Sequence, residues 1–367
     1  MSEEPYTQPV MEETLDETDA KCPNCAATVS FDPATGMLTC PYCGYSRQVS
    51  SDEETAVEEL DLEQAENGES SFAWGEDKKT VICEQCGGES VYDALAVSNV
   101  CPYCGSNHVM EAATETSIAP NAVCPFKVPK QTAMERFSKW LKGRWFAPSS
   151  AKKQAKAEQA QGVFLPFWTF DTQTTSHYTA RAGRDRWVGS GEKRRRVTHW
   201  FSVSGIYQQS IDDQPVEATQ RYDRGLILKL GAYDTAHAVP YRSEYLAGFI
   251  SERYSVGLND GWQIAKTRIR ARLEGEVQQY IRRHNRADHV ASLRMNTVYD
   301  NVRYKYIMLP VWMSSFTYKG KVYRFMVNGE TGRVAGHFPV SAWRVLVAVV
   351  LGATAVSLLW YWFNGGM

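Results

Sequence analysis

Eight of the nine cysteines fall into two sets with the same spacing. Cys22-Pro-Asn-Cys25 is followed, after fourteen residues, by Cys40-Pro-Tyr-Cys43. Cys83-Glu-Gln-Cys86 is followed, again after fourteen, by Cys101-Pro-Tyr-Cys104. Each Cys-x-x-Cys turn aims two thiolates at one point. Two such turns supply four soft ligands in a tetrahedron, the set that suits zinc. The intervening residues suit a short β-hairpin; in the first copy 28–31 and 37–39 flank the turn Asp32-Pro33-Ala34-Thr35-Gly36. Gly44 and Gly105 follow the last ligand of each set, where φ > 0 turns backbone N–H groups toward sulfur. Two zinc-ribbon β domains are therefore expected, at 21–45 and 80–110, each holding one structural Zn2+. Protein fills all four positions, so none is open to water or substrate. Disulfides would need an oxidising compartment, and the first twenty residues are acidic without the apolar run of a secretory signal. A redox pair would need one Cys-x-x-Cys in a βαβ setting. Iron in a rubredoxin-like site is the remaining alternative. Cys124 has no partner and reads as a small buried apolar residue.

Charge divides the chain. Residues 1–120 carry 24 Asp and Glu against 4 Lys and Arg, whereas 121–367 carry 18 against 36; the net charge of -2 conceals the split. An acidic front on a basic back points to a charged partner, a membrane surface or a nucleic acid, or to two parts that attract each other.

The chain ends in an apolar segment. Val345 to Phe363 is 19 residues without a charge, about 28 Å as a helix and close to the hydrocarbon core of a bilayer. Trp343 and Trp360-Tyr361-Trp362 sit at its two ends, as interfacial aromatic belts do. A transmembrane helix is expected at 343–363. Arg324, Arg333 and Arg344 precede it and only Asn364-Gly365-Gly366-Met367 follows. The positive-inside rule then keeps the rest cytoplasmic: a single-pass, tail-anchored protein of the inner membrane.

Between these features lie an acidic disordered N-terminus (1–20), an acidic linker (46–79) without a core-forming face, and a shorter connector (117–123). Residues 129–142 form an amphipathic helix by periodicity. From 162 onward the texture is β-like. Leu165-Pro166-Phe167-Trp168 and Leu309-Pro310-Val311-Trp312 form a weak repeat, each copy opening a strand with its proline at the start or at an edge. Hairpins are expected at Gly189-Ser190-Gly191, at Lys319-Gly320 and at 328–332. Residues 261–283 form a helix, capped by Asn259 or Asp260. Its stripe is Trp262, Ala265, Ile269, Leu273, Val277, Tyr280 and Ile281; Lys266, Arg268, Arg270, Arg272, Arg282 and Arg283 crowd its other faces. Such a helix packs on a sheet or lies on an anionic membrane. The fold class is multidomain α+β: two zinc ribbons, a β-rich α+β cytoplasmic domain at 125–340 and one C-terminal transmembrane helix.

Nothing asks for catalysis. The chain has no Walker A sequence, no His-Glu-x-x-His and no Gly-x-Ser-x-Gly. His284 and His289 are flanked by arginine and read as a surface turn. His177 and His199 have no acidic partner in sight, and Asp212-Asp213 reads as a turn after a strand. No enzymatic activity is expected.

The paired Cys-x-x-Cys turns, Pro125-Phe126-Lys127-Val128, Trp140-Leu141-Lys142-Gly143-Arg144-Trp145, the two Leu-Pro-x-Trp segments and Asn328-Gly329-Glu330-Thr331-Gly332 together resemble a bacterial family of membrane-tethered double zinc-ribbon proteins. Its members are described as TFIIB-type zinc ribbon-containing proteins and also, misleadingly, as primosomal protein N′ (replication factor Y). The resemblance spans residues 20–363. It implies a membrane adaptor, since some relatives are encoded with phage-shock-protein-A-like and SPFH-domain proteins and help bring them to the membrane. Helicase motor motifs are missing. The expected partners are cytoplasmic proteins at the ribbons and an anionic membrane surface at the basic domain. Nucleic acid is the alternative, disfavoured at the ribbons: the first holds only Lys21 and Arg47, and residues 81–120 hold no Lys or Arg.

Overall fold

The computed structural model describes residues 22–27, 29–49, 57–66, 78–83, 89–93, 109–111, 120–154, 160–191, 194–220, 222–252 and 254–365. Its strands are β1 (Ser30–Asp32), β2 (Met37–Thr39), β3 (Ser46–Gln48), β4 (Leu60–Asp61), β5 (Lys78–Cys83), β6 (Glu89–Asp93), β7 (Val109–Glu111), β8 (Ala122–Val123), β9 (Gln161–Val188), β10 (Arg195–Glu217), β11 (Val239–Pro240), β12 (Ile250–Glu252), β13 (His289–Tyr318), β14 (Lys321–Asn328) and β15 (Val334–Gly336). The helices are α1 (Leu62–Glu66), α2 (Lys130–Lys142), α3 (Ser149–Gln154), α4 (Arg224–Lys229), α5 (Leu258–His284) and α6 (Ala342–Gly365). Strands β1–β3 form a small antiparallel sheet; β4–β15 join one large mixed sheet, so the chain is a mixed α/β protein.

Three strands dominate. β9 has 28 residues, β10 has 23 and β13 has 30; at 3.2–3.4 Å per residue β9 traces a contour of about 90 Å. β9 lies between the other two, antiparallel to both. The β9–β10 hairpin turns at Gly189 and Gly191, both at positive φ, where the turn is expected. Residues 173–210 thus form, with 289–300 of β13, a long three-stranded arm. α5 lies along one face of it: Leu273, Val277 and Ile281 are fully buried, with Tyr178, Ala180 and Ala182 of β9 beneath the last two. The α5 stripe packs on protein rather than lipid. Its basic face is partly neutralised by Arg268–Glu217, Arg270–Glu274 and Arg272–Glu276. The expected cap is not used. Gly257 is the N-cap, without a side-chain hydrogen bond, and Asn259 and Asp260 fall inside the first turn. Tertiary contact sets this start: Trp168 Nε1 donates to Val256 O (2.9 Å), and a Cβ on Gly261 would lie 2.8 Å from the Trp168 ring.

The two Leu-Pro-x-Trp segments are ladder partners, Leu165 opposite Leu309. They do not both open strands: Pro310 lies well inside β13. The carbonyl of Pro310 accepts from Gly329 N, so its nitrogen faces the same side. That side is a gap, because β8 pairs only as far as Met308 and β14 begins at Val311. Pro166 sits likewise just past the last β10 pair, its carbonyl taken by Ala218 N. Each missing N–H falls where the ladder needs none.

Two segments expected to be connectors are built into this sheet. β4 pairs with Arg303 and Tyr304 of β13, and Leu62 behind it is buried. β8 is wedged between β13 and β11, with Ala122 and Val123 fully buried. The sheet therefore extends on the N-terminal side of residue 125. Aromatic rings fill the core near the anchor, where Phe126 packs against Phe164, Phe249 and Trp312.

α6 leaves this end of the sheet. Ala342–Phe363 is 22 residues long with a mean hydropathy of 2.0, and among the described residues none of its apolar stretch is buried. It is long and apolar enough to cross a membrane. Its base is fastened by Arg344, which donates to the carbonyls of Trp145 and Ala147 and to Ser149 Oγ.

Candidate metal centre

The first cysteine set closes into one site. Cys22 Sγ lies 3.4 Å from Cys43 Sγ, and Cys25 Sγ lies 3.5 Å from Cys40 Sγ. All four sulfurs lie within 4.8 Å of one another. A tetrahedron of thiolates around zinc at 2.3 Å has an edge of about 3.8 Å, so the four are grouped as a set that can hold a zinc ion. Local chemistry builds it. Gly44 takes φ 74°, as expected after the last ligand; Ala26 holds the equivalent place in the first turn at φ 59°. Ala26 N donates to Cys22 O (2.8 Å) and Gly44 N to Cys40 O (3.1 Å). Cys22 and Cys40 are buried, Cys25 and Cys43 exposed.

The thiols respond to this crowding. The backbone N–H groups of Cys43 and Tyr42 hold Cys40 down to about 6, against the cost of desolvation. Tyr45 N–H also lowers Cys43, but the neighbouring thiols, Cys22 first, push it up to about 12. Cys25, although the Ala27 N–H lowers it, is raised by Cys40 and by desolvation. Four thiolates this close repel one another, and a divalent metal between them would supply the compensating charge. The residues fit the ion that their spacing predicts.

The small sheet is docked. Phe31 N donates to Ala247 O (3.0 Å), and the Phe31 ring meets Tyr245 edge-on at 5.5 Å. Of the second set, Cys86, Cys101 and Cys104 and the Cys83 thiol lie outside the described residues. The backbones of β5, β6 and β7 pair antiparallel, and β6 joins the large sheet through β12.

A second group of titratable residues gave no signal in the sequence. Asp212-Asp213 is a bulge inside β10, not a turn after it, with Asp213 at φ 48° and the register shifting between Ile211 and Gln214. Asp213 N donates to Asp171 Oδ1 (2.7 Å). Carboxylate oxygens of Glu59, Asp171 and Asp212 lie within 4.8 Å of one another. The largely buried Lys305 stands among them, 2.6 Å from Asp213 and 3.5 Å from Glu59. Its ammonium supplies the positive charge that a metal would bring. Desolvation, with Asp212 beside it, raises Asp171 to about 7. One carboxylate from each of three distant segments leaves no spacing to read in the sequence.

The other candidates stay apart. His177 and His199 are exposed on β9 and β10. His284 stacks on Tyr280, while His289 Nε2 lies 3.0 Å from Asp185 Oδ2. Cys124 is buried, its thiol pushed up to about 12 by burial and by Glu330, as a packing residue would be.

Comparison with known proteins finds no matching family model and no matching solved structure. The chain is similar to a Bacillus subtilis (strain 168) protein described as "Uncharacterized protein YdjG", with 26% identity over 344 residues that cover 92% of this chain and 95% of the relative.

Proposed function

We propose that the protein is a zinc-stapled, tail-anchored adaptor that docks cytoplasmic proteins, of the phage-shock-A-like or SPFH kind, at the inner membrane. The observation that carries the reading is α6: an apolar helix whose span is not buried among the described residues, riveted by Arg344 to a β-rich body. Two structural zinc ions are held by Cys22, Cys25, Cys40 and Cys43 and by Cys83, Cys86, Cys101 and Cys104. The ribbons receive the partner. Basic side chains near the anchor meet anionic headgroups, each Lys or Arg contributing about 1 kcal/mol at such a surface. The body is cytoplasmic, and no reaction is assigned to it. The test is protease added outside intact cells, followed by a pull-down from membranes. The ribbons should survive the protease, and Cys22→Ser with Cys83→Ser should abolish partner capture. Loss of an N-terminal tag to external protease overturns the topology; unchanged partners overturn docking at the ribbons.

Nucleic acid is the second reading, and one observation favours it. The arm's tip carries exposed Arg186, Arg194, Arg195 and Arg196 beside Trp187, with Arg194 over the Trp187 ring at 5.0 Å. Arginine with a stacking indole suits a phosphate backbone. Tight binding to DNA or RNA that falls steeply with salt would favour it over the adaptor.

A further inference from the structure

β10 is the outermost strand of the arm, and among the described residues no strand pairs its far side. Exposed edges are normally blunted by charge, proline, bulges or short length, because unpaired N–H and C=O groups recruit another strand. The matching stretch of β13 is blunted: it carries Arg294 and Asp300 and shifts register at 291/294 and at 300/303. β10 is not. From Val197 to Ile211 it has fifteen residues without Asp, Glu, Lys, Arg or Pro, and its register with β9 does not slip. That is about 50 Å of undefended edge.

The direction of its backbone groups follows from two contacts. Thr174 Oγ1 on β9 donates to the carbonyl of Gln209 directly opposite (2.7 Å), so odd-numbered groups in this stretch face β9. Even-numbered residues from Thr198 to Ser210 therefore turn their N–H and C=O outward. The bulge adds one residue and reverses this parity, so beyond it the carbonyl of Pro215 faces out and is taken by Arg268 Nη1 (2.6 Å).

We propose that β10 pairs antiparallel with β10 of a second copy of this chain, about a two-fold axis through Ser204. The strand is self-complementary about that residue. Phe201 falls opposite Tyr207 on the α5 side, and Trp200 opposite Gln208 on the open side, so aromatic rings line both faces of the junction. Past them the basic end of one strand meets the acidic end of the other, Arg196 opposite the exposed Asp212, twice by symmetry. Moving the axis to Val203 or Gly205 keeps the hydrogen-bond pattern but puts Arg196 opposite Ser210 or Gln214, and the charge match is lost. The axis runs perpendicular to the sheet, so the union is isologous and closed. Both α5 helices lie on one face of a six-stranded arm. This inference stands independently of the adaptor reading.

The test uses the full-length, zinc-loaded chain in detergent micelles, with mass measured across a dilution series. The wild type should be a dimer. Ser204→Lys sets two like charges on the axis without touching the β9 ladder, and should weaken the dimer about tenfold or more while zinc content and circular dichroism stay unchanged. Under mild oxidation, Ser204→Cys should link to its own copy. Thr179→Cys, opposite Ser204 within one chain, should not. A monomeric wild type overturns the proposal, as does a dimer indifferent to Ser204→Lys; a link at 179 but not at 204 overturns the register.

Discussion

Ala26 and Gly44 occupy equivalent positions in the two Cys-x-x-Cys turns, yet only one is glycine. A Cβ at φ 59° clashes with the following carbonyl, at roughly 1–2 kcal/mol, and glycine offsets part of this by its freedom when unfolded. Ala26→Gly should therefore stabilise the site by about 0.5–1 kcal/mol, read as a raised unfolding midpoint and slower loss of metal to a chelator. Asp171 shows the opposite use of environment. Its carboxyl is raised to about 7 by burial, so the folded chain binds a proton more tightly than the unfolded chain does. The stability it contributes is complete below the ordinary Asp value, near 4, and is lost as pH rises through about 7. The melting temperature should accordingly fall between pH 5 and pH 8, and Asp171→Asn, a mimic of the neutral acid, should flatten that slope.

At the scale of elements, α5 is what makes the arm possible. A three-stranded ribbon of this length has two faces, and a single helix of 27 residues dries one of them. Leu273 sits fully buried midway along it. Leu273→Ala should cost about 2–5 kcal/mol by lost burial and a residual cavity, measured by denaturant unfolding. The charges on α5 do different work. Arg268 reaches Pro215 and Glu217 and pins the helix to β10, whereas Arg270 and Arg272 pair within the helix and, being exposed, contribute little.

For the whole molecule, the metal site and the sheet are joined but separable. The β1–β3 unit has few buried side chains of its own and leans on Tyr245 through Phe31. Cys22→Ser should lower bound zinc by one equivalent and release this unit, while the large sheet, whose core lies elsewhere, keeps its melting transition; metal analysis with limited proteolysis checks both. β4 and α1 follow the unit in sequence and dock on β13 through Leu62 and through Glu59 with Lys305 and Arg303. The stretch after the first cysteine set therefore has a fixed point on the body, where a free tether was expected.

Features whose information is local were legible in the sequence. The first four cysteines meet as their spacing predicts, because the short hairpin between the two turns brings them to one point. Nineteen uncharged apolar residues make a membrane-length helix by hydrogen bonds within the segment itself. The α5 stripe and the glycine turns follow from the period of a helix and from the steric freedom of glycine. A period of two in β9, β10 and β13 says that a residue belongs to a strand, but not which strand lies beside it. Partner choice depends on burial and pairing across more than a hundred residues. Only tertiary structure could therefore draw β4 and β8 into the sheet and let Pro310 sit inside a strand at a gap in its ladder. The same long-range pairing assembles Glu59, Asp171, Asp213 and Lys305 from four strands or their flanks, and leaves β10 with an open edge.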